Sequence, residues 1–120
     1  MHQYKRTDRL GDQIRAEIAD IIARKLKDPR VGFVTVTSVD VSEDLRHAKV
    51  FVSVYGDEKT QAETMKGLNS ASGFVKGELG RRIRIKFTPD IVFRLDDSLE
   101  KAARVIDIIE HIDIDKDEDN

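Results

Sequence analysis

The 120-residue sequence predicts a single α+β domain in which helices cover one face of a three-stranded sheet. Apolar residues recur at helical spacing near the N-terminus, and later runs alternate with the two-residue period of a strand. A second helical stretch is interrupted in its middle. In chain order these elements give αββααβ, followed by a C-terminal helix and tail.

The first helix is predicted to begin at a cap formed by Thr7 or Asp8 and to reach about Lys27. It ends before Pro29 because proline disfavours a helical conformation in the preceding residue. The apolar stripe that predicts this helix consists of Leu10, Ile14, Ile18, Ile21, Ile22 and Leu26.

Two strands are predicted next. Residues 33–41 are rich in β-branched side chains, which favour extended backbone. Their apolar positions change face along the run, as expected of a central strand covered on one face or of a bulge near Thr37 and Ser38. Residues 49–55 alternate cleanly, and the short polar connection between the runs predicts an antiparallel hairpin.

The second helix should be capped by Asp57 or Thr60, and it contains the sequence LNSASGF. Asparagine and serine side chains compete for backbone hydrogen bonds, and glycine loses the most entropy, so this stretch weakens a helix interior. The helix should resume from Gly73 to about Arg84. The sequence therefore predicts two helices joined by a kink at residues 71–73.

A third strand is predicted over residues 85–95, and Thr88-Pro89 within it indicates an edge strand or a bulge. Ser98 can cap a final helix. The predicted organisation is a domain at residues 1–98, a helical appendage at 99–112 and an acidic disordered tail at 113–120.

Charge and composition limit the class of protein. The net charge of −2 combines −6 on residues 107–120 with +4 on residues 1–106. The absence of cysteine excludes disulfides, thiol catalysis and cysteine-bound zinc, and fits a reducing compartment. No run approaches the roughly 20 apolar residues of a membrane span. We therefore expect a cytoplasmic protein with no membrane partner, monomeric in the simplest case.

No enzyme site is predicted. His2, His47 and His111 lie far apart in the sequence, and none is paired at the spacing of metal ligands or of acid–base catalysts. The alternating aspartates of the tail resemble the start of a calcium loop but lack its glycine and its last ligand. We therefore predict no catalytic residue, metal ligand, cofactor or small-molecule substrate.

The interrupted helix is followed by a strip of glycines, Gly73, Gly77 and Gly80, that share one side of the helix. For Gly77 and Gly80 alone, close packing against a neighbour is the favoured interpretation. For the break and the basic residues after it, contact with a nucleic acid is favoured, because a helix N-terminus and cations both attract phosphate. The GxxG formed by Gly77 and Gly80 is interpreted as a coincidence inside a helix, not as a phosphate-binding loop.

The element order with an interrupted second helix resembles a type II KH domain. The sequences DPRVGFVTVTSVDVSEDLRHAKVFVSVYG and SASGFVKGELGRRIRIKFTPDIVFRLDDS, with the R-x-x-R at Arg6 and Arg9, further resemble the ribosome-binding factor A family. The resemblance implies that Ala71-Ser72-Gly73 replaces the KH loop with an Ala-x-Gly kink. It also implies a non-catalytic factor that binds free small (30S) ribosomal subunits and 16S rRNA during late maturation and 5′-end processing, acts in the cold and leaves before translation.

The expected RNA contacts combine this resemblance with the charge pattern. Because aromatic residues are scarce, readout of shape and phosphate should dominate. A protein-binding adaptor without RNA contact is the alternative. The predicted RNA-binding residues are Ser70, Ala71, Ser72, Gly73, Lys76, Arg81, Arg82, Arg84 and Lys86, extended by Arg6, Arg9, Lys25, Lys27 and Arg30.

Overall fold

The computed structural model describes residues 5–98, and the predicted element order αββααβ is confirmed. The predicted C-terminal appendage and tail lie outside the described residues. The elements are α1 (Arg6–Arg24), β1 (Val34–Val41), β2 (His47–Val54), α2 (Glu58–Ser70), α3 (Ser72–Arg82) and β3 (Asp90–Leu95).

The three strands form one sheet in the order β1-β2-β3. β1 and β2 are antiparallel, which confirms the predicted hairpin, whereas β3 runs parallel to β2. The register between β1 and β2 shifts between Val36 and Ser38, so the predicted bulge is present there and explains the change of face. β3 lies at an edge of the sheet, which confirms one of the two alternatives, an edge strand or a bulge, that Thr88-Pro89 indicated.

The core lies between one face of the sheet and the helices. Alternate residues of β2, including Val50 and Val52, are fully buried, while their neighbours Lys49 and Phe51 are not. Burial of each such side chain contributes ~1.5–3 kcal/mol. The main core residues on the helices are Ile14, Ile18 and Ile21 of α1, Leu68 of α2, and Val75 and Leu79 of α3.

The predicted boundaries of α1 were wrong at both ends. Lys5 is the N-cap, and its backbone N–H donates to a carboxylate oxygen of Asp8 at 2.7 Å, which places Asp8 in the first turn of the helix. At the other end α1 stops at Arg24, before the predicted Lys27. The Asp57 cap of α2 is confirmed, because its carboxylate accepts the Thr60 N–H at 2.8 Å.

The predicted start of the third strand was also wrong, because residues 85–89 form no strand and β3 begins at Asp90. This segment instead crosses close to α3. A Cβ added at Gly80 would lie 2.8 Å from the Thr88 hydroxyl oxygen, and Pro89 is fully buried. The residues predicted to begin the third strand therefore form a packed connection instead.

Candidate nucleic-acid interface

The kink between α2 and α3 is a hydrogen-bonded junction centred on Ala71, whose backbone (φ −92°, ψ 3°) leaves the helical region. The Ala71 N–H donates to the carbonyl oxygens of Gly67 at 3.1 Å and Leu68 at 3.0 Å. The Ser72 hydroxyl donates to the Asn69 carbonyl at 2.8 Å. These bonds satisfy the groups freed at the end of α2 and fix the angle between the helices.

Asn69 attaches the kink to the sheet. Its side-chain Oδ1 accepts the backbone N–H of Phe93 in β3 at 3.2 Å. Because β3 is an edge strand, this bond satisfies a backbone group that no strand pairs on that side. Asn69, which weakens the helix, therefore also fixes the position of the kink relative to β3.

A shallow groove of about 630 Å³ lies between the kink and the end of α1; we call it the elbow groove. It brings the predicted residues Lys25, Lys27 and Arg30 together with Ser70 and Ala71, which are some 40 positions away in the sequence. The remaining lining residues are Leu26, Asp28, Pro29 and Phe74.

Phe74 is the functional candidate that the sequence analysis missed. Its side chain is 47% exposed and lines the elbow groove beside the basic residues. The exposure of Phe74 could have been predicted from the sequence, because Phe74 falls outside the stripe of Val75, Leu79 and Ile83 that packs into the core. An exposed ring among cations is a suitable surface for stacking with a base.

The cations of the elbow groove differ in their availability. Arg30 is held by Asp28, whose carboxylate oxygens accept its Nε at 3.1 Å and its Nη2 at 2.7 Å. The Arg30 side chain and backbone N–H lower the pKa of Asp28 to about 2. Lys25 and Lys27 are exposed and form no ion pair among residues 5–98, so they are the cations best placed for a phosphate.

A second group of predicted residues lies elsewhere. Arg6, Arg84 and Lys86 line a hollow of about 400 Å³ that α1 and the chain after α3 form together. The elbow groove joins the end of α1 to the start of α3, so the two helices run in opposite directions and the hollow lies at the other end of the pair. Arg9 is exposed in the first turns of α1.

The remaining predicted cations are engaged within the protein. Arg82 is only 22% exposed, and its Nη1 lies 2.7 Å from Asp20 and 3.2 Å from Glu17, so it joins α3 to α1 and lowers the pKa of Asp20. Lys76 pairs with Asp90 at 2.7 Å, and Arg81 pairs with Glu78 on its own helix.

The glycine strip has two different environments. A Cβ at Gly73 or Gly77 would meet nothing within 4 Å, whereas Gly80 packs against Thr88. The packing interpretation is therefore correct for Gly80 and wrong for Gly77. The GxxG lies inside α3, as interpreted from the sequence. Gly73 and Gly77 leave part of the surface of the first turns of α3 without side chains.

A family model described as ribosome-binding factor A matches residues 6–109. The chain belongs to the ribosome-binding factor A family. The match covers most of the chain and extends beyond the two sequence runs that first indicated it. Among residues 5–98 no group of three or more His, Asp or Glu side chains is arranged to hold a metal ion. In the same part of the chain no helix is long and apolar enough to cross a membrane.

Curated relatives named ribosome-binding factor A match along most of their length. The protein of Halothermothrix orenii is 54% identical over 108 residues, covering 90% of this chain and 88% of the relative. That of Natranaerobius thermophilus is 46% identical over 112 residues, covering 93% of this chain and 86% of the relative.

Solved structures in the ribosome-binding factor A family share the fold. The crystal structure of the Thermus thermophilus factor has a TM-score of 0.67 at 26% identity and covers 76% of this chain and 97% of that one. A Thermotoga maritima protein solved by NMR has a TM-score of 0.70 at 32% identity and covers 78% of this chain and 90% of that one. A homology model of the T. thermophilus factor, fitted into a cryo-EM map of a 30S complex with that factor, has a TM-score of 0.63 at 26% identity and covers 76% of this chain and 96% of that one.

Proposed function

We propose that this chain is a ribosome assembly factor that binds the free small (30S) ribosomal subunit and contacts 16S rRNA during late maturation. The observation that carries the proposal is the family match over residues 6–109, together with the T. thermophilus relative fitted into a map of a 30S complex. We further propose a part in 16S rRNA 5′-end processing and in adaptation to cold. The factor acts in the cytoplasm, as a monomer and without catalysis.

In this proposal the elbow groove faces the rRNA. Lys25 and Lys27 contact phosphates as exposed cations, and the positive N-terminal end of α3 supports the same contact. Gly73 and Gly77 let the RNA backbone approach the helix, because no side chain stands in the way. Phe74 supplies a ring on which an unpaired base can stack.

The other predicted contacts take distinct places in the proposal. Ser70, Ala71 and Ser72 form the kink and present backbone groups at the groove. Lys76, Arg81 and Arg9 contribute to the field at longer range. Arg82 serves mainly to hold α3 on α1, since Glu17 and Asp20 of α1 already pair with it.

Binding alone does not explain assistance to assembly. A factor shifts the population of rRNA conformers only if it binds one of them more tightly than the others. The rigid kink suits this requirement, because a groove of fixed shape fits one backbone path better than another. We propose that the factor stabilises a late intermediate and is released when the rRNA adopts its mature path.

The experiment measures the affinity for purified small subunits at several salt concentrations. The variant Lys25→Ala/Lys27→Ala should make the negative slope of log K against log salt shallower by about 1.5, since each lost phosphate contact removes roughly 0.7–0.9 from its magnitude. The matched control is Lys49→Ala/Lys59→Ala, which removes two exposed lysines away from the groove. An equal change in both variants, or in neither, would show that the elbow groove does not face the rRNA.

The alternative is a protein-binding adaptor without RNA contact. It predicts that any binding to small subunits has a flat salt dependence and that sedimentation of the factor with them in a density gradient does not depend on RNA. Release from the subunit fraction at raised salt, with the lysine variant released earlier than the control, would instead support the rRNA-binding proposal.

A further inference from the structure

Phe87 is an exposed aromatic residue with two cations on its ring. It follows α3 and precedes β3, and 62% of its surface is exposed. The Arg46 guanidinium carbon lies 6.0 Å from the ring centroid, and the Lys86 ammonium nitrogen lies 5.6 Å from it. Arg46 comes from the turn between β1 and β2, so residues distant in the sequence assemble this site, which we call the Phe87 platform.

The turn that carries Arg46 is held in one conformation. Leu45 has φ +62°, a left-handed backbone that branched side chains rarely adopt. The Asp44 carboxylate accepts the Ser42 hydroxyl at 2.6 Å and the Arg46 N–H at 3.0 Å. The Arg46 carbonyl also accepts the N–H of Asp90 at 2.8 Å, which joins the turn to the start of β3. A strained turn that is held this firmly is typical of functional positions.

The hollow beside the ring has an apolar floor and a cationic rim. Leu10, Leu45 and Ile85 line the floor. The Asp44 carboxylate also faces the hollow, and the hydrogen bonds of the turn keep it ionised by lowering its pKa. The four cations Arg6, Arg84, Lys86 and Arg46 outnumber this one carboxylate, so the local charge is positive.

We propose that the Phe87 platform is a second RNA contact, at which an unpaired base stacks on Phe87 while the flanking phosphates bind Arg6, Arg84 and Lys86. A base that stacks on Phe87 displaces a cation from over the ring, and that cation is then free to bind a flanking phosphate. Such a site complements single-stranded RNA, which offers a π-face and a phosphate at every nucleotide. The inference rests on the proposed rRNA binding and extends it to a site remote from the elbow groove. α1 has 19 residues and separates the two sites by about 28 Å.

The chain contains no tryptophan, which allows a direct test. In the Phe87→Trp variant the indole is the only tryptophan of the chain, and a base stacked on it should quench its emission when a short unstructured oligoadenylate is added. The matched control is Phe33→Trp, because Phe33 is 84% exposed at the start of the hairpin and lies outside both sites. The control should show no quenching.

Affinity provides the second measurement. Phe87→Ala should weaken binding to the small subunit about tenfold, within the range found for loss of one stacked base, while Phe87→Trp should retain wild-type affinity. The ring is exposed, so both variants should unfold at the wild-type denaturant concentration. Unchanged affinity of Phe87→Ala would overturn the platform and leave the elbow groove proposal intact.

Two other outcomes separate the proposals. Weaker binding of Phe87→Ala without quenching of the Phe87→Trp indole would mean that the ring contacts a ribosomal protein, and would also overturn the RNA platform. Failure of every variant, and of the wild type, to bind small subunits would refute the proposed function instead. The oligoadenylate titration would then test the platform by itself.

Discussion

At the scale of single residues, the Asp28–Arg30 pair shows how charge shapes the elbow groove. The bidentate contact fixes Arg30 beside Pro29 and leaves Lys25 and Lys27 as the exposed cations. The same contact lowers the pKa of Asp28 from 3.8 to about 2. The pair is therefore both a structural element and a titratable one.

This pair predicts a pH dependence of stability. Because folding lowers the pKa of Asp28, its ionised form stabilises the protein above the unfolded value of 3.8, and that contribution disappears as pH falls to about 2. Arg30→Gln should therefore unfold at a lower urea concentration than the wild type at neutral pH. The difference between their urea midpoints should shrink steadily across this window.

The measurement is a series of urea unfolding curves at pH values on both sides of the window. Folding also lowers the pKa of Asp20 and Asp90, so the wild type itself should lose stability over the same pH range. Those two carboxylates are unaffected by the substitution and act as an internal control. A midpoint difference that stays constant with pH would mean that the pair does not stabilise the fold.

At the scale of elements, α3 combines an open face with a packed one. Gly77→Ala should raise the free energy of unfolding by ~0.5–1 kcal/mol, because alanine favours a helix and its Cβ meets nothing within 4 Å. Gly80→Ala should leave the free energy of unfolding unchanged or lower it, since the new Cβ would lie 2.8 Å from the Thr88 hydroxyl. Urea unfolding of both variants measures the contrast.

The same pair of variants tests the open face in function. If RNA approaches α3 at Gly77, the more stable Gly77→Ala protein should bind small subunits more weakly than the wild type. If the variant is more stable than the wild type, its weaker binding cannot result from misfolding. Wild-type affinity in Gly77→Ala would place the RNA elsewhere on the molecule.

The elements also show what the sequence could predict. The α1 stripe, the hairpin and the kink were predictable because each depends on local periodicity or on helix propensity. The start of β3 was not, because residues 85–89 alternate like a strand yet are held against α3 by the contact of Thr88 with Gly80. Tertiary packing decided between two conformations that the local pattern allowed.

The candidate site was predictable in its residue types and less so in its grouping. Lys25, Lys27 and the kink share one groove because α1 and α3 run in opposite directions, and no spacing in the sequence reveals that. Arg82 has the same local signal as Arg81 but meets Glu17 and Asp20 across the helix pair. Partners supplied by another element decide which cations remain available.

At the scale of the whole molecule, α1 and α3 pack together in opposite directions, with one candidate RNA contact at each end of the pair. The elbow groove lies where α1 ends and α3 begins, and the Phe87 platform lies where α1 begins and α3 has ended. A factor that contacts RNA at two fixed points about 28 Å apart can distinguish rRNA conformers by their geometry. A single contact point would discriminate much less.

Simultaneous engagement of both sites predicts how their variants combine. If one rRNA conformer touches both, the losses in binding free energy for Lys25→Ala/Lys27→Ala and for Phe87→Ala should add to within about 0.5 kcal/mol in the triple variant, since the sites share no residue. Equilibrium binding to small subunits at one salt concentration measures all four proteins. If the sites instead served alternative binding modes, either one would compensate for the other, and the combined loss would exceed the sum. A combined loss well below the sum would mean that the Phe87 substitution acts through the elbow groove, and that the molecule has one contact point, not two.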